Sequence, residues 1–225
     1  MRLALFDLDH TLLPIDSDHA WGEFTTQIGW TDAAEFGRRN DAFYAQYREG
    51  SLDLHEYIRF ATEPIRRHGL AAALAQRAHF MQQVIEPAVR RSALELLRRH
   101  QRAGDQVIII TATNEFITRP IADRFGVDEL IAVRLERDGA GELTGGICGT
   151  PSFRDGKVRR MEEWLAARGL AWAGLQSSVF YSDSSNDLAL LEKVTEPVAT
   201  NPDPMLRDLA TRRGWRILEL FGQSS

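Results

Sequence analysis

Asp7 and Asp9 stand one residue apart at the end of an apolar run, in LALFDLDHTLL, with Thr11 two positions further on. Carboxylates so placed repel: unit charges ~4 Å apart do so by about 4 kcal/mol at an effective dielectric near 20. Residues i and i+2 share a face only while the chain stays extended, and both carboxylates then reach one centre. Such a pair suits attack by one carboxylate on phosphorus, while the other protonates the departing alkoxide and later deprotonates water. Three further segments carry matching chemistry. Thr111 ends the apolar run of QVIIITAT, and its hydroxyl can hold a phosphoryl oxygen. Lys157 lies in GKVRRMEEW, and SDSSND supplies Asp183 and Asp187. Four carboxylates in one crevice are unfavourable without a cation. Mg²⁺ fits, as a hard ion held by one or two carboxylates plus phosphate oxygens and water, and no calcium loop of the EF-hand kind is present. Each segment alone has a plainer reading: a helix-capping loop, a strand end, a solvated lysine, a turn. Their order, each at a strand end or helix start, carries the chemistry.

The elements that must position these residues are legible from periodicity. RLALFD, QVIIITAT (Gln106 to Thr113), ELIAVRLE and SSVFYSD read as strands, with EPVAT and WRILEL as shorter ones. The continuous apolar stretch Val107 to Ile110 suits a parallel strand covered on both faces. RLERDGAGELTGGI reads as a β-hairpin turning at DGAG. AVRRSALELLRRHQRAG and KVRRMEEWLAARG read as helices, each ending at a glycine. Strand and helix alternate from about residue 88, which predicts an α/β parallel sheet. In such sheets ligands bind beyond the carboxyl ends of the strands, where the chemical residues stand. Residues 14–86 show no strand pattern and carry half of the chain's aromatic residues. They predict a helical insertion with its own small core, dividing a catalytic core of residues 1–13 and 87–225.

The chain has 225 residues and a net charge of −5. That balance argues against nucleic acid as a partner, while a local positive site can still take an anionic small molecule. Arg66–Arg67 and Arg98–Arg99 fall on predicted helices and read as solvated faces. Cys148 is the single cysteine and can form no internal disulfide. No apolar run is long enough to span a membrane, and the start lacks the length of a secretory signal, so a cytoplasmic location is expected. Oligomeric state is not legible.

Taken together, FDLDHTL, IIITATNEF, GKVRRM and YSDSSNDLALLE resemble the haloacid dehalogenase (HAD) superfamily, within its phosphoserine-phosphatase-like branch. The resemblance spans essentially the whole chain, with the helical insertion where this branch carries its cap. It implies a Rossmann-like sheet, a helical cap closing over the site, and a Mg²⁺-dependent phosphatase working through an aspartyl-phosphate. By the resemblance, Asp7 is the nucleophile and Asp9 the general acid/base. Thr111 binds the phosphoryl group, and Lys157 pairs with that group and with Asp7. Asp183 ligates Mg²⁺ with the Asp7 carboxylate and the Asp9 backbone carbonyl, and Asp187 supports the metal. Asp16, Ala112, Asn186 and a cap arginine, Arg59 or Arg48, are the substrate-facing candidates.

The chain also departs from that branch. His10 replaces a small or hydroxylated residue. Ala112 and Thr113 stand where phosphoserine phosphatases carry glycines, and Asp16 stands for a glutamate that meets the substrate's amino group. Phosphoserine and histidinol phosphate, the latter lacking a carboxylate, are therefore both substrate candidates. Among rivals, a dehalogenase would not need Asp9, Asp183 and Asp187. A phospho-accepting receiver domain would be about half as long, with no helical insertion. A phosphotransferase or phosphomutase shares every motif and differs only in the acceptor. A degenerate binding protein would have lost a motif position, and none is missing.

Overall fold

The computed structural model describes residues 1–222. The strands are β1 Arg2–Phe6, β2 Gln106–Asn114, β3 Glu129–Val133, β4 Leu135–Arg137, β5 Leu143–Ile147, β6 Ser177–Ser182, β7 Glu196–Thr200 and β8 Arg216–Leu218. Helices α1 Ser17–Gln27, α2 Phe36–Glu49, α3 Leu54–Ala61, α4 Glu63–His68, α5 Leu70–Phe80 and α6 Glu86–Ala88 fill the segment between β1 and β2, before α7 Arg91–Arg102. A π-helical turn, Met81–Ile85, joins α5 to α6. Later come α8 Glu115–Phe125, α9 Asp155–Ala166, α10 Leu188–Leu191 and α11 Pro204–Arg213.

Six strands form one sheet in the order β3-β2-β1-β6-β7-β8, and every pairing is parallel. The central strand β1 thus has β2 on one side and β6 on the other. Its alternation divides the core: Ala4 and Phe6 enter one apolar cluster, Leu3 and Leu5 the other. Met161 and Leu165 of α9, Leu190 and Leu191 of α10, and Leu206 of α11 cover the second face. α7 and α8 cover the first, through Ala93, Leu96, Leu97, Phe116, Ile117 and Ile121.

Two expectations change. ELIAVRLE is not one strand: β3 stays in the sheet, the chain leaves it at Arg134, and β4 pairs antiparallel with β5. The predicted hairpin therefore forms as a separate ribbon, closed by Cys148 N–H donating to the Arg134 carbonyl at 2.9 Å. Nor does the helical segment hold a core of its own. Trp21 and Phe24 of α1 and Phe80 of α5 join the first-face cluster, and Trp21 meets Phe116 of α8 edge-on at 5.7 Å between centroids. Aromatic rings large enough to span the gap make the segment and the sheet one continuous apolar body.

Candidate active site

The carboxyl ends of β1, β2 and β6 meet because these strands are neighbours. Asp7 follows β1 and keeps its ladder bond, its N–H donating to the Tyr181 carbonyl at 2.9 Å. The chain then turns back, with Leu12 and Leu13 N–H both on the Leu8 carbonyl, at 2.8 and 3.0 Å. This turn presents Thr11, whose hydroxyl lies 3.4 Å from Asp7 Oδ2 and 3.2 Å from Asp183 Oδ1. Lys157, in the first turn of α9 and 1% exposed, donates to Asp7 Oδ1 at 2.7 Å and Asp187 Oδ2 at 2.6 Å. Ser182 Oγ also donates to Asp187 Oδ2, at 2.7 Å.

Asp9 is held differently. Its Oδ1 accepts the Ser17 N–H at 2.7 Å, and its Oδ2 accepts the Thr113 hydroxyl at 2.8 Å. It thus joins the end of β2 to the start of α1. Thr111 is buried beside it: its Oγ1 accepts the Thr113 N–H at 3.1 Å, and its carbonyl accepts the Ser152 hydroxyl at 2.6 Å. Asp7, Asp9, Thr111, Ala112 and Thr113 form one wall of a pocket. The other wall comes from the helical segment, including Asp16, Asp18, His19, Phe43, Tyr44, Tyr47 and Tyr57.

Burial dominates the electrostatics. It raises the Asp7 carboxyl to about 7; Lys157 opposes the rise, and Asp187 and Asp9 add to it. Burial, then Asp16, raises Asp9 to about 7 against the bonds from Ser17 and Thr113. Asp183 lies well above the usual carboxylate range through burial, then the charges of Asp7 and Asp187. Burial alone would lower Lys157, but Asp187 and Asp7 outweigh it and hold the ammonium charged.

Among the described residues, no three His, Cys, Asp or Glu side chains form a metal cage by themselves. The expected acidic set is narrower than its spacing suggested, because Asp187 Oδ2 is turned onto Lys157 and Ser182. What remains suits Mg²⁺. The Asp7 and Asp183 carboxylates converge on the Thr11 hydroxyl, and Asp183 is half-buried with no salt-bridge partner among the described residues. Mg²⁺ needs one or two carboxylates, with water and phosphate oxygens completing its shell.

The substrate-facing residues divide. Ala112 lines the pocket, as does Asp16. Asp16 is the N-cap of α1, its Oδ1 accepting the N–H groups of Asp18 and His19 at 3.0 and 2.8 Å. Asn186 does not line it; its Nδ2 donates to the Tyr47 carbonyl at 2.9 Å, tying the β6 loop to α2. Arg59 is misplaced by the sequence reading: it is exposed and lines another groove with Phe36, Arg39 and Arg66. The buried residues of α3 are Leu54, Ile58, Phe60 and Ala61, and Arg59 is not among them. Arg48 borders the outer cleft that reaches Asp183. His10 adopts a left-handed backbone, φ 57°, and its Nε2 lies 3.0 Å from the Tyr44 hydroxyl across that cleft. Thr113, Tyr44 and Asp18 were not selected from sequence. Thr113 carried a signal, since a hydroxyl two residues after Thr111 shares its strand face.

The haloacid dehalogenase-like hydrolase profile matches residues 4–192 of this chain. A histidinol-phosphatase of Neisseria meningitidis serogroup C (strain 8013) is 41% identical, over 96% of this chain and 98% of that protein. The phosphoserine phosphatase SerB1 of Mycobacterium tuberculosis (strain ATCC 25618 / H37Rv) is 31% identical, over 95% and 69%. The crystal structure of a protein of unknown function from Bordetella pertussis Tohama I superposes with a TM-score of 0.92 at 48% identity, covering 98% and 99% of the two chains.

Proposed function

The chain belongs to the haloacid dehalogenase-like hydrolases and is a phosphatase of small phosphorylated metabolites; from that premise we propose a Mg²⁺-dependent monoesterase for an amine-bearing alcohol phosphate, with histidinol phosphate its best candidate. Asp7 is the nucleophile: its Oδ2 attacks phosphorus while Lys157 holds Oδ1. The ester oxygen leaves with the proton of Asp9, and the phosphoryl group rests on Asp7. Asp9, now ionised, takes a proton from the attacking water, which breaks the acyl phosphate and returns Asp7 as carboxylate. Thr111 contacts a phosphoryl oxygen, and Lys157 offsets its charge. Asp7, Asp183 and the Asp9 carbonyl would hold Mg²⁺, which would supply charge neutralisation for a phosphate dianion beside an aspartate. Residues 14–86 act as the cap.

The observation that carries the substrate reading is the pocket lining: among the described residues it contains Asp16 and Asp18 and five aromatic rings, and no Arg or Lys. A phosphoserine carboxylate would meet carboxylates without a cation to receive it. An aminoalcohol with a planar cationic ring meets acids and aromatic faces instead. The test is a comparison of kcat/KM on histidinol phosphate and phosphoserine, with Mg²⁺ and with chelator. Preference for histidinol phosphate, lost on chelation, is expected. Equal or better turnover of phosphoserine would overturn the substrate, and metal-independent turnover would overturn the cofactor. Transfer of the phosphoryl group to an added alcohol, in place of phosphate release, would favour the phosphotransferase.

A further inference from the structure

Asp18 is a buried carboxylate without a cation. It is 5% exposed and makes no ion pair among the described residues. Its hydrogen-bond donor among the described residues is neutral: Asn114 Nδ2 donates to Oδ1 at 3.1 Å, and Tyr57 shares the pocket lining with it. No cation pairs with it among the described residues, and it lines the pocket beside the Asp9 wall. An uncompensated buried carboxylate is expensive to keep for stability alone. The two acids of the α1 start are also unequal. Asp16 spends an oxygen on two N–H groups of the helix end, whereas Asp18 has no backbone donor of that kind. Asn114 ends the strand that carries Thr111, so Asp18 is held from the sheet side, and Tyr57 of α3 faces the same pocket from the helical segment.

Resting on the proposed phosphatase reading, we propose that Asp18 is the specificity-determining residue of this enzyme, receiving the positively charged amine or ring nitrogen of the alcohol moiety, with Tyr57 and Asn114 as its positioning residues. The rings of Tyr44, Tyr47 and Tyr57 line the same space and give a planar cation faces to rest against. Burial, then the charges of Asp16 and Asp9, lift the Asp18 carboxyl to about 8, so an incoming cation stabilises an ionised form that the empty pocket disfavours. The group that selects the substrate is thereby separated from Asp7 and Asp9, which transform it.

The test compares histidinol phosphate with 4-nitrophenyl phosphate, which carries no cation, in the wild-type protein and in Asp18→Asn and Tyr57→Phe. Asn keeps the size and bonding of the side chain and removes its charge. The kcat/KM ratio, cationic over uncharged substrate, is expected to fall about 30-fold or more in Asp18→Asn. In Tyr57→Phe it should fall by a smaller factor, through KM more than kcat. L-Histidinol should likewise bind the wild-type protein about 30-fold tighter than 3-phenylpropanol, by calorimetry, a measurement that needs no variant. An unchanged ratio in Asp18→Asn, or equal binding of the two alcohols, overturns the inference. Failure of the wild-type protein to release phosphate from 4-nitrophenyl phosphate overturns the phosphatase reading instead, so the two failures are distinguishable.

Discussion

Among the described residues Lys157 is the only cation in contact with two buried acids, Asp7 and Asp187, and its removal leaves both uncompensated. Lys157→Met should abolish turnover and destabilise the fold by about 3–5 kcal/mol, as expected when one member of a buried ion pair is lost. Protonation of the orphaned carboxylates relieves that loss, so the drop in Tm should be larger near pH 8 than near pH 5. A drop independent of pH would contradict the pairing. Asp9 gives a second test. Asp9→Asn should slow phosphorylation by an alkyl phosphate far more than by 4-nitrophenyl phosphate, whose leaving group needs no proton. Equal slowing in single-turnover assays would deny Asp9 the acid role. The meeting of Asp7, Asp9, Thr111, Lys157 and Asp183 was legible from their order at strand ends and a helix start, and the fold brings them to one end of the sheet. Asp18 was not legible. A carboxylate in the first turn of a helix reads as a partner for the helix dipole, and only the fold brings Asn114 and Tyr57 to it.

At the scale of elements, the site depends on a loop and a latch. Gly156 precedes Lys157, and a Cβ there would lie 2.0 Å from the Pro151 carbonyl oxygen, a backbone atom that cannot swing aside. Gly156→Ala must displace the loop or the first turn of α9, so kcat should fall well beyond any loss of Tm. Activity at the parent level would show that the position of Lys157 is not critical. The latch joins α2 to the sheet loops through His10–Tyr44, Asn186 to the Tyr47 carbonyl, and Arg154 to the Gly50 carbonyl. Tyr44→Phe removes one link, about 0.5–1.5 kcal/mol. It should raise KM several-fold at near-constant Tm; an unchanged KM would show that this contact does not govern closure. The strands of the sheet were legible from unbroken apolar runs. The departure at Arg134 was not, because ELIAVRLE keeps an apolar character through Leu135 and only pairing with Leu143–Ile147 decides where β4 goes.

At the scale of the whole molecule, one apolar body carries a concentration of negative charge at the carboxyl ends of its central strands. The run of helices between β1 and β2 was legible as a break in strand–helix alternation. Its shared core was not, since the partners of Trp21 and Phe80 are set by tertiary contact. Asp7 and Asp9 titrate near 7 when folded against an ordinary 3.8. Between those values the native state binds more protons than the unfolded chain. The contribution of these two groups is therefore fully present below about 4 and is lost as pH rises through 7. Mg²⁺ favours the ionised carboxylates, so its thermal stabilisation should grow from about pH 5.5 to pH 8; a constant or shrinking shift would contradict a site built on these acids. The central claim, a phosphoryl group carried on Asp7, is tested most directly by acid-quenching the protein during turnover of histidinol phosphate with Mg²⁺ and mapping covalent phosphate by mass spectrometry. The account predicts phosphate on the peptide containing Asp7, absent in Asp7→Asn along with turnover. Phosphate release by Asp7→Asn at the parent rate, or a label on another residue, would contradict it.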